Sequence, residues 1–135
     1  MKRGTIVLTK FPFTDLSSSK RRPAVVISRG CSERLDVIVA FVSSVIPEKL
    51  SETDFLLDLE HEDFPATGLR KKSVFKMDKL ATLNKSIFSG ELGCLSANIL
   101  RHLDVRLRTA LDLKKINWSL IPGRLKKKLS GRGSA

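Results

Sequence analysis

The period of the apolar residues changes once along this chain, and that change limits the folds open to it. From residue 4 to residue 83, apolar side chains come in short runs bounded by polar, Pro or Gly residues. From Ser96 onward, Ile99, Leu100, Leu103, Leu107, Ala110 and Leu111 recur at three- and four-residue spacing. Short alternating or continuous apolar runs read as strands, and the second pattern as one face of a helix. Strands over 4–13, 23–28, 37–45, 54–60 and 72–83 are predicted, followed by a helix with Ser96 as its N-cap. The first should end at Pro12, and the second should carry Pro23 at its first position, where a missing N–H costs least. "VIVAFVSSV" is apolar almost throughout, which predicts burial on both faces or a place in a small barrel. Five short strands and a C-terminal α-helix make a mainly β domain, a small barrel capped by the helix.

The chain has 135 residues, enough for one core, and no apolar run approaches the roughly 20 residues that span a bilayer. No signal-peptide pattern opens it, and the separated Cys31 and Cys94 fit a reducing cytoplasm better than a disulfide framework. Its net charge is +11, which favours a polyanionic partner: nucleic acid, an acidic protein segment or an anionic surface. The charge is unevenly spread. No acid follows Asp112, whereas seven Lys and Arg do. Residues 1–112 therefore read as the domain and 113–135 as a basic extension.

The catalytic inventory is short. His61 and His102 are the only histidines, and the patterns expected of a phosphate-binding Gly loop, a dinucleotide fold or a Ser hydrolase do not occur. "DLEHED" gathers carboxylates around His61, but such a run reads more readily as a solvated turn than as a metal centre. No metal and no cofactor is expected. "SSSKRRPAVVIS" is more informative. Arg22 directly precedes Pro23, which biases its backbone toward extended geometry and fixes the guanidinium at the end of a buried strand. A fixed, permanently charged fork suits phosphate and oxyanion recognition. Ser43 and Ser44, at the end of the third strand, are a second candidate. The alternatives for both are a solvated turn and hydroxyls bonded to local backbone.

Three stretches, in order and at similar spacing, resemble the MazF/PemK-type toxins of bacterial toxin–antitoxin systems: "GTIVLTKFPFTDLSSSKRRPAVVIS", "VIVAFVSSVI" and "TGLRKKSVFKMDKLATL". The resemblance implies an SH3-like barrel with a helix, a homodimer in the cytoplasm, and metal-independent, sequence-specific cleavage of single-stranded RNA. It also implies an acidic antitoxin partner. By position, Arg22 takes the place of the family's catalytic arginine, and Ser43 that of a catalytic threonine. Lys79 stands where several relatives have glutamine. Lys20 and Arg21 would track the RNA backbone beside Ser44, and Phe13 would either stack a base or belong to the core. A related toxin type acts on DNA gyrase, so a gyrase-directed toxin and a non-catalytic binding barrel are the competing readings.

Overall fold

This computed structural model describes residues 1–10, 20–30, 33–114 and 118–127. Six strands form one antiparallel sheet: β1 (Thr5–Lys10), β2 (Arg21–Val26), β3 (Asp36–Ser43), β4 (Asp54–Leu57), β5 (Ser73–Asn84) and β6 (Gly90–Cys94). Their spatial order is β4-β5-β3-β2-β1-β6, and the sheet curls into a half-barrel against helix α1 (Ala97–Ala110). Three 3₁₀ turns and a helical stretch over 123–127 complete the described elements.

Both faces of the sheet are buried at its centre. Ile6, Val25, Ala40, Val42, Phe75 and Met77 point to one side, where Ile99 and Leu103 of α1 cover them. Val7, Ala24, Val26, Val39 and Phe41 point to the other. The unbroken apolar run of β3 is therefore a strand with two buried faces, as its sequence predicts.

Several boundaries, and one whole strand, differ from the sequence reading. β2 starts two residues early, at Arg21, so Pro23 lies inside the strand rather than at its head. Pairing with β3 begins only at Ala24, which leaves proline's missing N–H at the end of that ladder. β3 stops at Ser43, where the Ser43 hydroxyl accepts a hydrogen bond from Val45 N (3.1 Å) and turns the chain. β4 stops at Leu57 because Asp58 Oδ1 accepts from Leu59 N (2.7 Å), leaving Leu59 exposed. The sixth strand, "GELGC", has no β-branched residue and two glycines, so periodicity could not reveal it. The expected end of β1 at Pro12 lies outside the described residues.

β5 carries two apolar patches because it is bent. Its pairing with β3 jumps from Lys76 to Leu80 as β3 advances from Phe41 to Ala40. Met77, Asp78 and Lys79 form the bulge, and Met77 N donates instead to Thr53 O (3.1 Å).

Two glycines join the far edges of the sheet. A Cβ on Gly68 would lie 2.1 Å from the carbonyl oxygen of Leu92, and one on Gly93 2.2 Å from that of Ala66. The 3₁₀ turn Pro65–Thr67 therefore meets β6 backbone to backbone. Gly68 has φ 73°, a left-handed value that favours glycine.

The helix begins at Ser96, whose hydroxyl accepts from Ile99 N (3.2 Å) and donates to Asp63 Oδ2 (2.7 Å). Arg3 pairs with Asp104 of the helix and donates to Ile27 O (2.8 Å), tying the start of β1 to α1. At the far end Asp112 adopts φ 53°, with Leu113 N donating to Arg108 O (2.9 Å) and Asp112 N to Thr109 O (3.2 Å). This is a Schellman arrangement, and it stops the helix. No described helix is long and apolar enough to cross a membrane.

The closure predicts a contrast between two glycines of one strand. Gly93→Ala should lower unfolding free energy by at least about 2 kcal/mol, because backbone on the facing turn must move. Gly90→Ala, whose Cβ would meet nothing within 4 Å, should stay within about 0.5 kcal/mol of the parent in urea denaturation.

Candidate functional site

Strand pairing determines where the arginine of the "KRRP" stretch sits. Arg22 pairs with Thr9 of β1. On the other side β2 pairs with β3 as Ala24 with Phe41, Val25 with Ala40 and Val26 with Val39. Continuing that register to the strand ends brings Arg22 opposite Ser43. Thr9, Arg22 and Ser43 thus fall in one row across three strands, on the face that carries Val7, Ala24 and Phe41 further in. Thr9 is fully buried, while Arg22 and Ser43 are half-buried at the rim.

A cleft of about 300 Å³ opens over this row, lined by Lys20, Arg21, Arg22, Ser43 and Ser44. Five of the seven residues singled out from sequence therefore come together. Its chemistry is that of an anion site: three permanent or near-permanent cations and two hydroxyls. In its bond with Val45 N the Ser43 hydroxyl accepts, which keeps its own proton available for an oxygen in the cleft. Lys79 lies exposed in the β5 bulge and lines neither this cleft nor the cavity beside it. Phe13 and Ser17–Ser19 lie outside the described residues.

The neighbouring cavity, about 460 Å³, shares Arg21, Pro23 and Ser44 with the cleft and adds Arg70 and Lys71. Sequence reasoning did not single out these last two cations. The signal was present: "GLRKKS" repeats the layout of "SKRRP", a cation run immediately before a buried strand.

The histidines stand apart from this region. His102 stacks on Phe55 at 5.3 Å, and the Arg106 guanidinium lies 4.9 Å from the same ring. Together they pack α1 on β4. His61 Nδ1 accepts from Asp63 N (3.0 Å) inside the turn after β4. Asp58 takes Leu59 N and pairs with Lys72 at 3.7 Å, so the "DLEHED" run is occupied with local structure. Among the described residues no three of His, Cys, Asp and Glu converge as a metal site would require.

The family model of PemK-like, MazF-like toxins of type II toxin–antitoxin systems matches residues 2–111. No curated protein sequence matches the chain. Among solved structures, an endoribonuclease from a mycobacterial species in complex with its cognate antitoxin superposes with a TM-score of 0.68 at 17% identity, covering 86% of this chain and 99% of that one. The Mycobacterium tuberculosis toxin MazF-mt6 gives 0.65 at 20% identity, over 82% and 99% of the two chains. A MazE–MazF complex from Deinococcus radiodurans gives 0.64 at 19%, over 84% and 97%. At these identities the structures show a shared fold.

Since Arg22 and Ser43 are only half-buried at the ends of their strands, their removal should not unfold the domain. Arg22→Ala and Ser43→Ala should each unfold within about 1 kcal/mol of the parent, measured by circular dichroism in urea.

Proposed function

Because the chain belongs to the PemK-like, MazF-like toxin family, whose members are endoribonucleases, we propose that it is a toxin that cleaves single-stranded RNA at defined sequences without a metal ion. The observation that carries this reading is the row formed by Arg22 and Ser43 at the rim of a cationic cleft. RNA supplies its own nucleophile. The 2′-oxygen forms a bond to the adjacent phosphorus as its proton leaves, and the bond from phosphorus to the 5′-oxygen breaks as that oxygen gains a proton. The products are a 2′,3′-cyclic phosphate and a 5′-hydroxyl.

Such a reaction needs the phosphate aligned and its growing equatorial charge stabilised. Arg22 stays protonated at every relevant pH, so it serves as the charge stabiliser and not as the base. Ser43 donates to a non-bridging oxygen. Lys20 and Arg21 hold the flanking phosphates, Ser44 supports them, Phe13 contributes a contact to a base, and Lys79, set apart from the cleft, meets only nucleotides beyond it.

The same cations suit an acidic antitoxin segment, which would compete with RNA for the cleft. The working assembly is proposed to be a homodimer in the cytoplasm. The extension 113–135 is proposed to add sequence-independent attraction for RNA, since it carries seven cations and no acid.

The purified protein, incubated with a transcriptome-wide RNA pool in excess EDTA, should give defined fragments with 5′-hydroxyl ends. Arg22→Ala should cut at least about 100-fold more slowly, the usual cost of one preorganised donor. Intact RNA would overturn the nuclease reading in favour of a binding barrel or a different target. Parent-like cutting by the variant would remove Arg22 from the mechanism.

Truncation after Leu113 should flatten the salt dependence of RNA binding. The slope of log K against log salt should fall by about 0.7 for each tail cation that meets a phosphate. An unchanged slope would assign binding to the barrel alone.

A further inference from the structure

The wider cavity at the barrel mouth has walls of a different kind from the Arg22 cleft. Leu8, Pro23, Leu69 and Leu92 make its sides apolar, and Arg21, Arg70 and Lys71 stand at its edge. Its volume of about 460 Å³ falls in the ~300–1,000 Å³ range of small-molecule sites. Strand alternation ties it to the cleft. Arg22 points to one face of β2, while Arg21 and Pro23 point to the other, so the end of this one strand serves both sites.

The far wall is held in place before any ligand arrives. Thr67 Oγ1 donates to Phe64 O (2.7 Å) and accepts from Leu69 N (3.1 Å). Ser73 Oγ donates to Lys71 O (2.7 Å). Gly68 is locked against the Leu92 carbonyl. A wall fixed in this way loses little entropy on binding.

We propose that this cavity is a base-reading subsite that takes guanine from a nucleotide next to the phosphate held by Arg22, an inference that rests on the RNA-cleaving reading above. The apolar walls suit the flat faces of a base. The polar edge selects among bases, because among the described lining residues there is no carboxylate, and the three charged side chains are pure donors that outweigh the hydroxyls of Ser44 and Ser73. Guanine presents O6 and N7 side by side as acceptors, the pair that an arginine fork grips bidentately. Adenine offers a donor at N6 and cytosine one at N4, and both would meet cations. Arg70 is the reading residue, with Arg21 shared between base and backbone.

The test uses a single-stranded RNA pool carrying six random positions and 2′-fluoro sugars, which lacks the nucleophile and cannot be cut. Sequences bound by the full-length protein should show guanine enriched at one position by about tenfold. Arg70→Ala, an exposed site whose folding is checked by thermal melting, should abolish that enrichment. Arg22→Ala should weaken all sequences alike and keep it. Replacing the selected guanine by 7-deazaguanine should weaken parent binding by about tenfold and leave Arg70→Ala unaffected. No enrichment, enrichment of another base, or enrichment that survives Arg70→Ala would overturn the subsite. The nuclease reading fails separately: guanine selection with uncut natural RNA would keep the subsite and remove the cleavage, and cleavage without guanine selection would do the reverse.

Discussion

The backbone contact between the turn at Pro65–Thr67 and strand β6 is the constraint from which the rest of the site follows. A six-stranded open sheet has two exposed edges, here β4 and β6. Unpaired edges invite pairing with other chains and leave the curl undefined. The chain leaves β4 and, within about a turn, presses against β6 at the opposite end of the order. Only glycines at positions 68 and 93 permit that approach. Once the edges are joined, the loop into β5 becomes the wall of the mouth, which is how Arg70 and Lys71 come to face the end of β2. Two missing side chains thus determine where two cations stand.

The same logic of fixed backbone applies to Arg22. A long guanidinium side chain carries about 2 kcal/mol of rotamer entropy, and a loose tether would add backbone freedom to that cost. Here the backbone is paired to Thr9 on one side, Pro23 stiffens the next residue, and the buried Ala24–Val26 segment anchors the strand from within. Ser43 ends the adjacent strand in the turn that its own hydroxyl helps to form. Both groups stand at strand ends because there the sheet supplies rigidity without covering the side chain.

Much of this was readable from residue pattern. Alternation and β-branched runs reveal β1 to β5, the three- and four-residue spacing reveals α1, and Ser96 caps it as its position implies. The Arg-Pro pair marks a cation fixed at a strand end, and the hydroxyls of "VSS" mark the end of β3. What escaped did so for physical reasons. "GELGC" is a strand because its neighbours make it one: β1 supplies the ladder and the turn at 65–67 needs its glycine. The bulge that sets Lys79 apart from the cleft is a property of the β3–β5 register, which no single segment encodes. Arg70 and Lys71 follow a turn in sequence and reach the mouth only through the closure.

The fold also sorts its charges by use. Four of the acids are held in internal contacts: Asp54 accepts from Ser51 N, Asp58 pairs with Lys72, Asp63 takes the Ser96 hydroxyl beside the start of α1, and Asp104 takes Arg3. An acid near a helix N-terminus is favoured by the helix dipole, so Asp63 stabilises the cap twice over. The cations at the mouth are distributed between two cavities on either side of one strand end. A nearly balanced domain can therefore present a strongly positive mouth without excess charge in its core contacts. That separation would make a polyanion's approach depend on salt, while its final register would depend on the fixed positions of Arg22 and Arg70.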